Sequence, residues 1–364
     1  MRPWIGPLSR RIGALLLLAL VPSRLAASPP PAADEARVER RLAAMGTELV
    51  LVLTGGERGS LLAASEAALA ALAATEARLS TWRAEGELAR LNRQPVGEPF
   101  PLSAALAAEL ETAWACREVT AGAFEPALGA LVAAWGLREG GRIPAAAALR
   151  AAREASGPET FRLGPEPFAT RLHPEARIEE GGFGKGAGLD HAAAALAGSG
   201  VRARLDLGGQ VLLAGEPRPE RLLVADPRQR ERPAVEVRIG HGSLATSGNS
   251  ERGMSVAGER VGHLLDPRTG EPASDPGSVT VWAPTAFLAD CLSTGLFVLG
   301  AEAALAFPER HPEVGVLLLE PVTGGLRARV AGALAGRVRA ADPMVHIEER
   351  PRVAGSLAPQ GDPH

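Results

Sequence analysis

The sequence has no tyrosine and one lysine, Lys185, so 38 of its 39 basic residues are arginine. Stacking against any flat ligand therefore falls to five Trp and eight Phe. The two cysteines, Cys116 and Cys291, are too few for a disulfide framework. They read as buried thiols, with a single bridge as the alternative. A formal net charge of -3 offers no basic field that would advertise nucleic acid. There is no internal repeat and no low-complexity segment beyond an alanine bias. With 364 residues the chain has the length for one large domain or two around a real core.

The apolar run Ile12 to Val21 is too short to be a comfortable permanent membrane span. It follows Arg2, Arg10 and Arg11 and precedes the small residues Leu25-Ala26-Ala27, the pattern of a cleaved export signal. Ser9-Arg10-Arg11 resembles a twin-arginine signal without the usual downstream Phe-Leu, and no cysteine follows to carry a lipid anchor. Residues 1–27 hold four arginines and no acid, so their removal takes the formal charge from -3 to -7. The expectation is an acidic, soluble periplasmic protein: a signal peptide at 1–27, a linker at 28–40, a domain at 41–350 and a flexible tail at 351–364.

Where glycine is abundant it is concentrated. The stretch Ile178 to Asp190 reads IEEGGFGKGAGLD, with Gly181, Gly182, Gly184, Gly186 and Gly188 around the only lysine. Such a run admits positive φ and close approach of backbone to a ligand. A helix is expected from Leu189 to Ala197, and a glycine turn feeding a helix N-terminus is an anion site. The spacing matches neither standard nucleotide fingerprint. Phosphate binding and an ordinary flexible turn both remain open on these residues.

Period-2 and period-3.6 patterns supply the elements. Strands are expected at 48–53, 203–207, 211–214, 222–225, 234–239, 243–246 and 279–283. Helices are expected at 60–79, 87–92, 103–119 and 128–135, and from Pro284-Thr285 onward with the threonine as N-cap. Residues 138–177 are variable in texture, with loops around Gly140-Gly141 and Gly157-Pro158 and no nameable chemistry. The second half has hairpin-like spacing rather than βαβ alternation. The fold class is α+β: antiparallel sheets with packed helices in a single large domain.

Two polar features stand out late in the chain. His263 precedes Leu264-Leu265 and a Pro/Gly turn near a strand end, and either a structural or a catalytic role suits it. Asp290 and Thr294 lie four apart on one helix and so share a face. A carboxylate and a hydroxyl there suit a hard cation such as Mg²⁺ shared with phosphate. The plainer alternative is a solvated Asp and a Thr bonded back to a carbonyl. The neighbouring Leu288, Leu292, Leu296 and Phe297 make this helix mostly buried, so the carboxylate needs a partner.

In order, Met45-Gly46-Thr47, Ser80-Thr81-Trp82, Gly122-Ala123-Phe124-Glu125-Pro126, the glycine-lysine stretch, Asp206-Leu207-Gly208-Gly209, Thr246-Ser247-Gly248, the octet from His263 to Gly270, and Ala283-Pro284-Thr285-Ala286 with Asp290 and Thr294 resemble the ApbE-type FAD:protein FMN transferase family. The resemblance covers nearly all of the chain after the export signal and implies a T-fold-like ApbE architecture. It implies that Met45, Trp82, Ala123, Phe124, Glu125, Glu179, Lys185 and Leu264 contact FAD. Trp82 stands where the family commonly has a tyrosine beside the isoalloxazine. The metal, Mg²⁺, would take Asp290, Thr294 and the carbonyl of Gly182, with Ser293 nearby, and His263 would activate the acceptor hydroxyl. Glu125 and Glu179 replace aspartates of the family motif and are longer by a methylene.

The reaction so implied is attack by a Thr or Ser hydroxyl of a target protein on the FMN-side phosphorus of FAD, with AMP leaving. The partner would be an exported flavoprotein subunit of a membrane electron-transfer complex. Two other readings share the site: a Mg²⁺-dependent FAD pyrophosphatase yielding FMN and AMP, and a non-catalytic periplasmic FAD-binding protein.

Overall fold

Alternation builds both faces of the principal sheet. In the computed structural model, which describes residues 36–164, 167–250, 254–256 and 259–350, Leu49, Leu51 and Leu53 are buried on one side of their strand while Val50 and Val52 on the other remain partly exposed. The export signal and the tail expected at either end lie outside the described residues.

The chain opens with a hairpin, β1 (Arg37–Ala44) and β2 (Thr47–Thr54), followed by α1 (Arg58–Leu79), α2 (Glu87–Leu91), β3 (Pro99–Pro101) and α3 (Ala104–Val119). Short elements come next: α4 (Gly129–Ala134), α5 (Ala146–Glu154), β4 (Phe161–Leu163) and β5 (Phe168–Arg171). Then follow α6 (Gly184–Ala194), β6 (Arg202–Leu207), β7 (Gln210–Ala214), β8 (Glu220–Asp226), β9 (Gln229–Ile239) and β10 (Gly242–Gly248). The remainder is β11 (Met254–Val256), β12 (Glu259–Val261), β13 (Ser278–Ala283), α7 (Ala286–Leu299), α8 (Ala301–Ala306), β14 (Gly315–Val322), β15 (Gly325–Gly332), β16 (Val338–Ala340) and β17 (Val345–Glu349).

Nine strands form one sheet in the order β1-β2-β6-β7-β10-β13-β14-β15-β17, antiparallel throughout except for the parallel β15–β17 pair. A three-stranded sheet, β16-β9-β8, covers one face of its far half. On β14, Leu317 and Leu319 point to that smaller sheet, while Val316 and Leu318 join the core beneath α3 and α7. Both faces there are buried, so β14 is apolar without a polar alternate. Over the β1-β2-β6 half only one face is covered, by α1 and α6, with Leu61, Ala68 and Leu72 of α1 against Leu189 and Ala192 of α6. The result is one α+β domain.

Four points correct or add to these expectations. The domain begins at Arg37, inside the segment expected as linker, because residues 37–44 pair in full register with β2. Residues 138–177 carry α5 and the strands β4 and β5, short elements whose few side chains gave no period to read. The glycine turn is confined to residues 181–183, and the helix after it starts at Gly184, five residues before the expected start, so that Gly184, Gly186 and Gly188 lie within α6. None of the five glycines of the stretch has a positive φ. Finally, Cys116 on α3 and Cys291 on α7 are joined in a disulfide across 175 residues rather than being free thiols.

Candidate functional site

Small residues decide where α6 and α7 meet. A Cβ on Gly186 would strike the Ala286 carbonyl oxygen and come to 2.6 Å from Phe287 Cα, so only glycine allows the helix starts to touch. Each start is then completed by the other helix. Asp290 on α7 accepts from the Gly186 N–H through Oδ2 (3.0 Å) and from Lys185 Nζ through Oδ1 (3.0 Å). In return Asp190 on α6 accepts from the N–H groups of Ala286 (2.8 Å) and Phe287 (2.9 Å), where Thr285 also caps α7 by accepting from Leu288 N–H. Carboxylates at both helix N-termini complement the macrodipoles. Burial nonetheless pushes the Asp190 carboxyl above its ordinary range, against the pull of the two backbone N–H groups.

Asp290 is only 4% exposed. One helical turn on, Thr294 Oγ1 lies 3.3 Å from Ser247 Oγ, which also bonds Ser293 Oγ at 2.9 Å. Gly182 lies directly beside Thr294: a Cβ there would be 3.5 Å from Thr294 Oγ1 and 2.9 Å from Phe124. Gly295 likewise admits Thr120 and Phe124 against α7. Asp290, Thr294, Gly182 and Phe124 thus form one continuous patch, with Lys185 on its α6 side.

Met45 closes the patch from the hairpin tip. Its backbone is left-handed (φ 49), and its side chain lies over α6, with Sδ 2.8 Å from where a Cβ on Gly188 would sit. Among the described residues only Met45 and Ala121 (φ 50) are non-glycine residues with positive φ; Met45 opens one quoted segment and Ala121 immediately precedes another. Backbone of this kind is held only where its surroundings enforce it.

On the other side lies a network of side chains. Thr81 donates to Glu180 Oε2 (2.7 Å), Arg138 donates to Thr81 Oγ1 (2.5 Å) and pairs with Glu179, and the Arg138 guanidinium lies 4.4 Å over the Trp82 ring. Burial pushes Glu179 above the usual carboxylate range, and the Arg138 charge pulls it back. Glu125 is buried too, engaged by Arg117 Nε (2.6 Å) and by the Ala127 N–H (2.9 Å), so it fastens its own loop while Ala123 and Phe124 are buried beside it. Desolvation again lifts its carboxyl. His263 is half-buried just beyond β12, and Leu264 packs on the main core.

The fold therefore brings together Met45, Phe124, Gly182, Lys185, Asp290 and Thr294, with Trp82 and Glu179 joined through Arg138. Asp206-Leu207-Gly208-Gly209 proves to be a hairpin turn between β6 and β7: Gly208 (φ 60) and Gly209 (φ 89) give the left-handed pair of a two-residue loop. Asp190, Ser247 and Arg138 had no role assigned from sequence. Asp190 ends the glycine stretch and Ser247 lies in a quoted segment, but nothing around Arg138 announces its contacts.

The family model described as "ApbE family" matches residues 45–318. The chain belongs to the ApbE family. A protein of Klebsiella pneumoniae named FAD:protein FMN transferase is 31% identical over 274 residues, which span 71% of this chain and 78% of the relative. One of the same name from Treponema pallidum is 31% identical over 307 residues, 79% and 84% of the two chains. The crystal structure of the ApbE protein of Thermotoga maritima superposes with a TM-score of 0.71 at 27% identity, covering 78% of this chain and 94% of that one. The ApbE likeness thus extends from the Met45 hairpin through β14, past every residue of the patch.

Proposed function

We propose that this ApbE-family chain transfers the FMN moiety of FAD to a Thr or Ser hydroxyl of a target protein, releasing AMP, with Mg²⁺ as its metal. The observation that carries this reading is Asp290: a buried carboxylate set at a helix N-terminus, facing the only ammonium of the chain, one turn from the Thr294 hydroxyl and beside Gly182.

The residues fit that metal. Among the described residues no group of three or more His, Cys, Asp or Glu side chains gathers to form an all-protein cage. One carboxylate, one hydroxyl and a glycine backbone leave the remaining positions of a hard cation to water and substrate phosphate, the arrangement Mg²⁺ favours. Asp290, Thr294 and the Gly182 carbonyl would hold it, and when bound it supplies Lewis-acid neutralisation of phosphate charge. Lys185 and the first amides of α6 add positive potential where a pyrophosphate needs it. In the transfer the acceptor oxygen bonds to the FMN-side phosphorus. The bond from that phosphorus to the AMP oxygen breaks, AMP leaves with the electron pair, and His263 takes the hydroxyl proton.

The export pattern at residues 2–27 and the Cys116–Cys291 bridge both support a periplasmic site of action, since such bridges persist in oxidising compartments. The target would then be an exported flavoprotein subunit of a membrane electron-transfer complex.

Incubating the protein with FAD, Mg²⁺ and a candidate acceptor tests this directly. An acceptor mass gain of one FMN is expected, and Asp290→Ala should abolish it. Free FMN without acceptor labelling would indicate hydrolysis, and intact bound FAD would indicate a carrier. Wild-type labelling rates with Asp290→Ala would overturn the assignment of the metal carboxylate.

A further inference from the structure

Arg138 lies in the loop after α4, outside every segment that the family resemblance picks out, yet three of those segments' residues meet on it. Its guanidinium covers one face of Trp82 at 4.4 Å from the ring centroid, donates to Thr81 Oγ1 at 2.5 Å and pairs with Glu179. Thr81 in turn donates to Glu180, two residues before Gly182. Trp82 is 68% exposed, on a loop between α1 and α2. An indole so exposed has little packing to fix its plane, and among the described residues Arg138 is the only cation over it. A planar guanidinium can stack and hydrogen-bond at once, which an ammonium cannot. The loop carrying Arg138 is itself fastened, because the neighbouring Arg142 Nε donates to Ala134 O at 3.1 Å and its Nη1 to Glu139 at 2.7 Å.

We propose that Arg138 is a positioning residue for the flavin: by stacking on one face of Trp82 while held by Thr81 and Glu179, it sets the indole plane and leaves the opposite face for the isoalloxazine. The three-ring end of the substrate would then be aligned by a side chain acting through Trp82, while Lys185 and Asp290 serve the phosphate end. This rests on the flavin reading proposed above. Because Arg138 acts through Trp82, its removal should matter only while Trp82 is present.

Titration of the purified full chain with FAD and Mg²⁺, followed by tryptophan quenching and by the circular dichroism induced in the flavin bands, tests it. Arg138→Ala should raise the FAD dissociation constant about tenfold, the scale of a lost cation–π contact and its alignment, and should change the induced dichroism. Arg138→Lys keeps the charge without the planar stack and should fall between. In a Trp82→Ala background, Arg138→Ala should add no more than about twofold, because the two act as one unit. The proposal is overturned if Arg138→Ala binds FAD like wild type with an unchanged flavin dichroism, or if its loss adds fully to that of Trp82→Ala. Should Arg138→Ala unfold, Arg138→Lys decides on the same two readouts. Wild-type protein that leaves FAD free overturns the flavin reading itself, an outcome visible without any variant.

Discussion

A carboxylate removed from water needs compensation, and the carboxylates of this site are compensated in different ways. Asp290 has an ammonium and a backbone N–H. Glu125 has Arg117 and the Ala127 N–H, and burial still leaves its carboxyl raised. A raised carboxyl binds its proton more tightly in the folded chain than in the unfolded one. It therefore favours folding below the unfolded value, and that gain is lost as pH rises through the folded value. Glu125→Gln, which keeps an acceptor for Ala127, should then be more stable than wild type at neutral pH, with the difference vanishing in mild acid. Urea melts at the two pH values check the sign. At this scale what the sequence made legible was which residues would meet, where type and neighbours mark them out. Asp290, Thr294 and Lys185 stood out by spacing or rarity, and they are brought together. Arg138 was not legible, because one arginine among 38 carries no sign of which ring it will cover.

Helices α6 and α7 show how packing overrides a plausible local reading. A cluster of glycines suggested a flexible turn, but two of them, Gly186 and Gly188, lie inside α6 where the α7 backbone and the Met45 side chain crowd the space a Cβ would take. The two kinds of position can be told apart by substitution. At Gly184 a Cβ would meet only the Glu180 and Met45 side chains at 3.4 Å or more, so Gly184→Ala should be neutral or slightly stabilising through helix propensity. At Gly186 the obstacle is backbone, and Gly186→Ala should cost about 1–3 kcal/mol as the helices are forced apart. Chemical denaturation of the pair provides the comparison. The strands of the β6–β10 region and the long helices were legible from period alone. The strands β1 and β14–β17 were not read, and in β14 the reason is physical: a strand buried on both faces lacks the alternation that marks one.

Across the whole molecule, coverage of the large sheet is uneven. Its central strands β13 and β14 are enclosed on both sides, whereas β1, β2 and β6 turn an outer face to a cleft of about 930 Å³ lined by residues such as Arg41, Glu48, Arg204 and Asp206. The candidate patch is around the starts of α6 and α7, and Gly182, Lys185, Asp290 and Thr294 do not line this cleft. Of the two, α7 is tied to α3 by the Cys116–Cys291 bridge, one residue from Asp290. The double change Cys116→Ser with Cys291→Ser should lower stability by about 2–4 kcal/mol, because it releases a long loop in the unfolded chain. Thermal melts with and without the bridge measure it.

The reciprocal capping of α6 and α7 has a consequence for the patch. Neither helix owns a finished beginning: the amides that open one are satisfied by a carboxylate borrowed from the other, some 100 positions away in the chain. The two helix starts are therefore complete only where they dock, each carboxylate supplying what its neighbour's opening turn lacks.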